Sequence, residues 1–338
     1  MMRQKGGDHE RAAAGLPRFG DICGSIGDLR LGARLDAHGW ASRQRCAKRI
    51  IHPGFFWNMV SPLHSHFEPP RSGPGPVLNR ARMRQAFGDD RSPLPGTSNL
   101  LVGNPARLVG DYTNPILKPE AAEIVKKRGE ISLSGAAYPT PFNQCWPAGV
   151  PYIFENLGMQ MLQEPSKITI LYPFNHEFRQ IRLNEPHPAQ VTPSWYGDSV
   201  GHYEGDTLVI DTVGIKTDRP FAMVDWYGTP YTKALHVVER YRLLEHEDAK
   251  EYWERNAREN FRLASNDGGP EVDPTYTGKV VQLQFTVEDE GVFTTAWSAT
   301  VTYWRALDEP RELVCAENTH EYYAGRNTPV PTSDKSDF

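Results

Sequence analysis

From Lys167 onward, hydrophobic and polar residues alternate with a period of two, which is typical of strands that bury one face. Four segments show this alternation over most of their length: 168–178, 235–243, 281–287 and 297–303. Gly205 marks a tight turn that leads into a further strand, and 313–317 is predicted to be the last one. The pattern therefore predicts half-buried antiparallel strands.

Helices are few in this pattern. Pro119 begins a short one, which Lys126–Arg128 and Gly129 are predicted to end. Residues 247–261 carry Trp253, Ala257 and Phe261 at helical spacing among charged residues. Six or more strands with one or two peripheral helices predict a mainly β fold, an antiparallel β-barrel of lipocalin or calycin type rather than a sandwich.

The N-terminal part of the chain lacks both periodicities. Residues 1–58 are predicted to be a disordered extension, with Met59 and Met83 as alternative starts. Residues 59–118 are rich in proline and glycine and are predicted to wrap the domain irregularly. The barrel is expected to span 119–330, followed by a tail at 331–338.

Charge and hydropathy limit the classes of binding partner that are expected. No segment has the roughly 20 apolar residues of a spanning helix, so no membrane partner is expected. Residues 1–58 hold ten Lys and Arg against five Asp and Glu, and the whole chain has a net charge of -5, so the body is acidic and no nucleic-acid partner is expected. The first residues lack the apolar run of a secretory signal, which predicts a cytoplasmic location.

Two ionisable residues interrupt the apolar faces. His176 is the exception on the even face of 168–178, and Glu239 is the exception on the odd face of 235–243. Inside a barrel, loss of hydration disfavours the charged form of each group, a condition that suits general acid–base catalysis. We expect a catalytic dyad if they meet. Alternatively, a partner such as Arg179 or Arg240 satisfies each group and the interior is core.

Two further carboxylates are candidates for orienting a substrate. Glu317 shares a face with Leu313 and Cys315 and is predicted to point inward, whereas Asp198 is predicted to lie with His202 at the barrel mouth. The alternative for 198–211 is a structural hairpin in which Asp198 caps a turn. Aromatic side chains predicted to bind substrate are Phe174, Phe178, Tyr241, Trp297 and Tyr303.

Other chemistry is weakly supported by the sequence. A metal site would need His236 beside Glu239 and Glu317, but alternation places His236 on the opposite face from Glu239, so neither a metal nor a cofactor is expected. The sequence allows three interpretations of Cys145 and Cys315: two buried thiols, a structural disulfide, or a nucleophilic cysteine. The aromatic loop 226–231 is either packing or a lid over the mouth.

Two motifs carry a family resemblance: PSWYGDSVGHYEGDTLVIDT at 193–212 and ALHVVER at 234–240. With them the chain resembles a bacterial family of uncharacterised proteins from soil and rhizobial proteobacteria and acidobacteria, over about residues 100–330. The resemblance implies no particular reaction. Many family members look exported, but their compartment does not carry over to a chain without a signal segment.

These observations predict a small-molecule enzyme that performs isomerase, lyase or hydrolase chemistry on a largely apolar or aromatic molecule inside the barrel. The alternative is a barrel that binds a hydrophobic ligand without catalysis, and a third possibility is a structural protein without a pocket. The oligomeric state is not predicted.

Overall fold

The computed structural model describes residues 59–60, 67–78, 109–134, 139–141, 144–155, 158–218, 222–259, 273, 275–307 and 314. All of them fall within one unit, Cys46–Phe338. In this part of the chain, no helix has the length and apolar character needed to cross a bilayer.

The architecture is a mostly antiparallel β-barrel. Its strands are β1 (Met59–Val60), β2 (Gly158–Gln163), β3 (Lys167–Tyr172), β4 (Glu177–Leu183), β5 (Asp198–Glu204), β6 (Thr207–Val213), β7 (His236–Leu244), β8 (Val280–Glu288) and β9 (Trp297–Arg305). They follow one another round the barrel in chain order, and the short β1 pairs with both β2 and β9 to close it. The predicted mainly β barrel is thus confirmed, and its lipocalin-like identity stays a prediction.

One pair of neighbouring strands is parallel. Arg182 and Leu183 of β4 lie opposite Val200 and Gly201 of β5. Parallel neighbours need a crossover connection rather than a tight hairpin. The chain therefore makes a crossover, residues 184–197, between β4 and β5.

The alternation rule holds in β7, β8 and β9. Val237, Glu239 and Tyr241 of β7 are buried, and so are the odd positions 281–287 of β8 and 297–303 of β9. Because these strands run without interruption, a single parity describes each of them.

The rule fails between β3 and β4, where one continuous strand was predicted through His176. The chain instead turns at Asn175 and His176, whose φ angles are 56° and 51°, and Glu177 N–H donates to the Phe174 carbonyl. Positive φ at both central residues is the signature of a type I′ hairpin turn. Even positions face inward before the turn and odd positions after it.

The first helix, α1 (Pro119–Leu133), continues past Gly129, so the predicted stop at that glycine is wrong. A Cβ at Gly129 would lie 3.1 Å from Val109 Cγ1, which shows that the glycine allows close packing rather than ending the helix. The helix ends at Ser134, whose N–H donates to the carbonyls of Glu130 and Ile131. The second helix, α2 (His246–Glu259), lies where the amphipathic pattern predicted it.

An aromatic cluster fills one part of the core. Phe285 contacts Phe67, Phe154 and Trp297 edge-on, with ring centroids 4.8, 5.1 and 5.9 Å apart. Phe67 belongs to segment 67–78, which bonds to β9 through Glu68 and Thr300. Phe154 lies in a buried 3₁₀ helix, Tyr152–Glu155. Residues 1–58 and 331–338 lie outside the described residues, so those predicted boundaries stay predictions.

Candidate functional site

The barrel interior holds a buried ion pair. Arg179 of β4 points inward because of the turn before it, and its Nη2 donates to Glu239 Oε1 at 2.7 Å while Nη1 donates to Oε2 at 3.2 Å. Arg179 is 1% exposed and Glu239 is fully buried. The predicted inward position of Glu239 is therefore confirmed, and the partner considered from the sequence, Arg179, lies opposite it.

Hydroxyl groups complete this network. Tyr241 donates to Glu239 Oε2 at 2.9 Å, and Arg179 Nη2 contacts the hydroxyls of Ser199 and Thr212 at 3.2 and 3.3 Å. Burial raises the pKa of Tyr172 to about 12, so that phenol stays neutral. The network is consequently charge-balanced, with one cation against one carboxylate.

The predicted aromatic binding residues divide between core and surface. Tyr241, Trp297 and Tyr303 are buried in the core, and Phe174 is half-buried against it. Phe178 is 54% exposed, so its predicted inward position is wrong. It follows the turn at Asn175 and His176, which reverses the parity of β4.

The predicted interior position of His176 is also wrong. It lies exposed at the tip of the β3–β4 hairpin, whereas Glu239 lies in the middle of β7 with no exposed surface. The two residues therefore do not share an interior chamber. The apparent alternation across 168–178 arose because Phe174 of the connection and Phe178 after it both occupy even positions.

The hairpin tip instead borders an open cleft of about 320 Å³, at the small end of the roughly 300–1,000 Å³ typical of ligand pockets. His176 and Glu177 form one side of it. The residues that line the cleft are Cys145, Pro147, Asn175, His176, Glu177, Phe178 and Tyr196. Its walls thus combine two aromatic rings, a proline and two adjacent ionisable residues.

Glu177 is the functional candidate that the alternation rule missed. Its Oε1 accepts a hydrogen bond from Ala148 N–H at 3.1 Å, and its buried Oε2 has no hydrogen-bond partner among the described residues. Burial raises the pKa of Glu177 to about 8, although the Ala148 N–H opposes that rise. At neutral pH the group is therefore mainly a carboxylic acid just beneath the cleft. The sequence signal was Asn175, which favours left-handed turns and so a change of parity at this point.

Asp198 does not pair with His202, so that predicted pairing is wrong. Asp198 lies on the outer face of β5, where Arg182 Nη1 donates to its Oδ1 at 2.7 Å and His187 Nδ1 lies 2.6 Å from its Oδ2. His202 contacts Glu204 at 3.2 Å instead. Gly205, with φ +60°, turns between β5 and β6, as the structural-hairpin alternative predicted.

The aromatic loop packs rather than forming an open lid. Trp226, Tyr227 and Tyr231 are all buried, and Trp226 N–H donates to Glu155 Oε2 at 2.9 Å. Tyr231 donates to the Lys216 carbonyl at 2.8 Å. The packing alternative from the sequence fits these contacts.

Two further candidates depend on parts of the chain that the structure does not describe. Glu317 and Cys315 lie outside the described residues, so their predicted inward positions stay predictions. Cys145 is disulfide-bonded, which excludes a free thiol at that position. Since Cys145 lines the cleft, the disulfide fixes part of its rim.

Within the described ranges, no three His, Cys, Asp or Glu side chains form a group that would hold a metal ion. His236 lies on the outer face of β7 and Glu239 on the inner face, as alternation predicted. Comparison with family models, with curated proteins and with solved structures gave no match. Function is therefore inferred from the geometry of the cleft.

Proposed function

We propose that the protein is an enzyme that performs general acid–base chemistry, of isomerase, lyase or hydrolase type, on a small and largely apolar or aromatic molecule in the cleft. His176 is the base and Glu177 the acid. The observation that carries this proposal is the backbone of His176, a non-glycine residue with φ 51° whose side chain lines the cleft.

That backbone conformation is unfavourable for histidine. The second central position of a type I′ turn normally takes glycine, and the left-handed conformation costs an L-residue about 1–2 kcal/mol. Residues held in such conformations cluster at active sites and ligand clamps. The cost of His176 is explained if its imidazole is used in the cleft.

The neighbouring acid supports the same chemistry. Glu177 is protonated at neutral pH because of its burial, while His176 is exposed to solvent and to ligand. Two adjacent titratable groups in different environments are the arrangement from which acid and base roles arise. Glu177 lines the cleft beside His176, so a ligand held there would lie next to both groups.

The walls indicate the substrate. Phe178 and Tyr196 present rings and Pro147 an apolar edge, which suits a flat, mostly apolar molecule. Among the described residues that line the cleft, none is Lys or Arg, and this composition favours a substrate without strong negative charge.

Two generic probes test this proposal: 5-nitrobenzisoxazole, whose ring opening reports proton abstraction by a base, and 4-nitrophenyl acetate, whose hydrolysis reports acyl transfer. We expect catalysis of at least one, and a loss of about 100-fold or more in His176→Gln, because a positioned base contributes at least that factor. His176→Gly should lose the same activity while gaining about 1 kcal/mol of stability, since glycine removes the turn strain. Initial rates and urea unfolding measure the two effects.

His202→Gln is the matched control, because His202 is an exposed histidine on β5 that does not line the cleft. It should keep the wild-type rates. Equal rates in wild type and His176→Gln would overturn the proposal. The non-catalytic alternative, favoured by the large exposed fraction of Phe178, predicts that an unreactive isostere such as 5-nitroindazole binds the cleft although neither probe is turned over.

A further inference from the structure

A row of charged side chains crosses the outer face of the barrel. Successive strands β4 to β8 contribute one residue each, in the order Arg182, Asp198, Asp211, His236 and Glu288. His187, from the crossover 184–197, lies between the two aspartates. The row therefore joins five strands and one connection.

His187 contacts a carboxylate with each ring nitrogen. Its Nδ1 lies 2.6 Å from Asp198 Oδ2, and its Nε2 lies 3.0 Å from Asp211 Oδ1. A neutral imidazole has one N–H and one lone pair, whereas carboxylates only accept hydrogen bonds. Both contacts are hydrogen bonds only when the ring is an imidazolium.

Neighbouring cations act on both of these carboxylates. Arg182 donates to both oxygens of Asp198, which lowers the pKa of Asp198, and His236 lowers that of Asp211. Both carboxylates are therefore ionised where they meet His187. Glu185 contacts Arg182 at 3.2 Å from the crossover itself.

His236 repeats the arrangement one strand further on. Its Nε2 lies 3.0 Å from Asp211 Oδ2 and its Nδ1 lies 3.3 Å from Glu288 Oε2. The hydrogen bond to Asp211 raises the pKa of His236. Because both imidazoles bind the same aspartate, loss of a proton from one changes the field at the other.

The first part of the crossover depends on these contacts. Residues 185–193 make no backbone hydrogen bond to another element of the described structure, whereas Ser194 bonds to Gly214 and Lys216 through its N–H and carbonyl. Val191 packs against Gly214, where a Cβ would lie 2.3 Å from Val191 Cγ1. His187 and the Glu185–Arg182 ion pair thus supply the charged attachments of a segment that is otherwise held by packing and by its end at Ser194.

We infer that His187 is a proton-operated clamp: as an imidazolium it fastens residues 185–193 to both Asp198 and Asp211, and loss of its proton removes one of these two hydrogen bonds and loosens that segment. His236 is the coupled second group through Asp211. The groups that face the clamp are Arg182, Glu185, Asp198, Asp211, His236 and Glu288.

The test is NMR of the full-length protein with isotope-labelled histidine, titrated from about pH 5 to pH 9, across the range where histidines change charge. Ring-nitrogen shifts report whether each nitrogen carries a proton. We expect both nitrogens of His187 and of His236 to be protonated at the acidic end, with coupled loss at the basic end. Backbone order parameters of the non-proline residues in 185–193 should fall over the same range, from about 0.85 for rigid backbone toward about 0.6, because a neutral imidazole keeps only one of its two hydrogen bonds.

His187→Gln should show low order parameters in 185–193 at every pH, and Asp211→Asn should uncouple the two histidines. His202→Gln serves as the control, because His202 contacts a single carboxylate and lies outside the crossover. A neutral His187 ring at the acidic end would overturn the inference. So would order parameters in 185–193 that are unchanged both by the titration and by His187→Gln.

Discussion

Replacing Glu239 by Gln should lower the free energy of unfolding by about 3–5 kcal/mol, because it leaves the Arg179 guanidinium buried without its compensating charge. Arg179→Met should have a similar cost for the reciprocal reason. Both side chains are essentially inaccessible, so water cannot replace the missing partner. Urea unfolding monitored by tryptophan fluorescence measures these changes.

The double variant Arg179→Met with Glu239→Leu tests whether the cost of a single variant comes from leaving one buried charge without its partner. Since removing both charges also removes both desolvation costs, we expect its stability to lie within about 1–2 kcal/mol of the wild type. The surface pair Arg240–Glu204 is the matched control, with a 2.5 Å contact but side chains 44% and 48% exposed. Its single variants should cost much less than the interior ones, because water and salt screen an exposed ion pair. Interior single variants that cost no more than these would contradict a buried, charge-compensating role.

Replacing Glu177 by Gln should raise the stability of the protein at alkaline pH. The folded pKa of Glu177, about 8, lies above its ordinary value of 4.5, so the folded state binds this proton more tightly than the unfolded state. The resulting stability is fully present below about pH 4.5 and is lost as pH rises through about 8. Glutamine stays neutral at every pH. The free energy of unfolding of the variant should therefore exceed that of wild type by a few kcal/mol above pH 8, and should differ little from it at pH 4.

Unfolding curves at several pH values measure this difference. Burial also raises the pKa values of Glu155 and Asp225, but wild type and variant share those groups, so the difference isolates Glu177. Glu123→Gln on α1 is the control, because its side chain is 53% exposed. If the free energies of unfolding of wild type and Glu177→Gln changed in parallel with pH, the claim that Glu177 is buried as a protonated carboxyl would be contradicted.

Uninterrupted strands made much of the barrel predictable from the sequence. The odd residues 237–241 of β7, 281–287 of β8 and 297–303 of β9 are buried, so period-two alternation located Glu239 correctly. The outward position of His236 followed from the same rule. Local patterns succeed here because one strand face packs against the core along its whole length.

The candidate site was harder to predict because it depends on a turn. Residues 173–176 connect β3 and β4, and this four-residue connection exchanged the inward and outward faces from Glu177 onward. Arg179 was missed as an interior residue because the turn reverses the parity before it. In addition, arginine is rarely fully buried without a partner. Closure of the barrel by Met59–Val60 rests on pairing with β2 and β9, about 100 and 245 residues away, which no local pattern contains.

The central claim is that ligand chemistry belongs to the cleft at the β3–β4 hairpin and that the barrel interior is core. Chemical-shift mapping with 5-nitroindazole tests it most directly. We expect chemical-shift changes at 144–148, 175–178 and Tyr196 when the ligand is added. We expect none at the interior residues Met161, Thr212 and Val237. Shifts centred on those interior residues, with the hairpin unaffected, would contradict it.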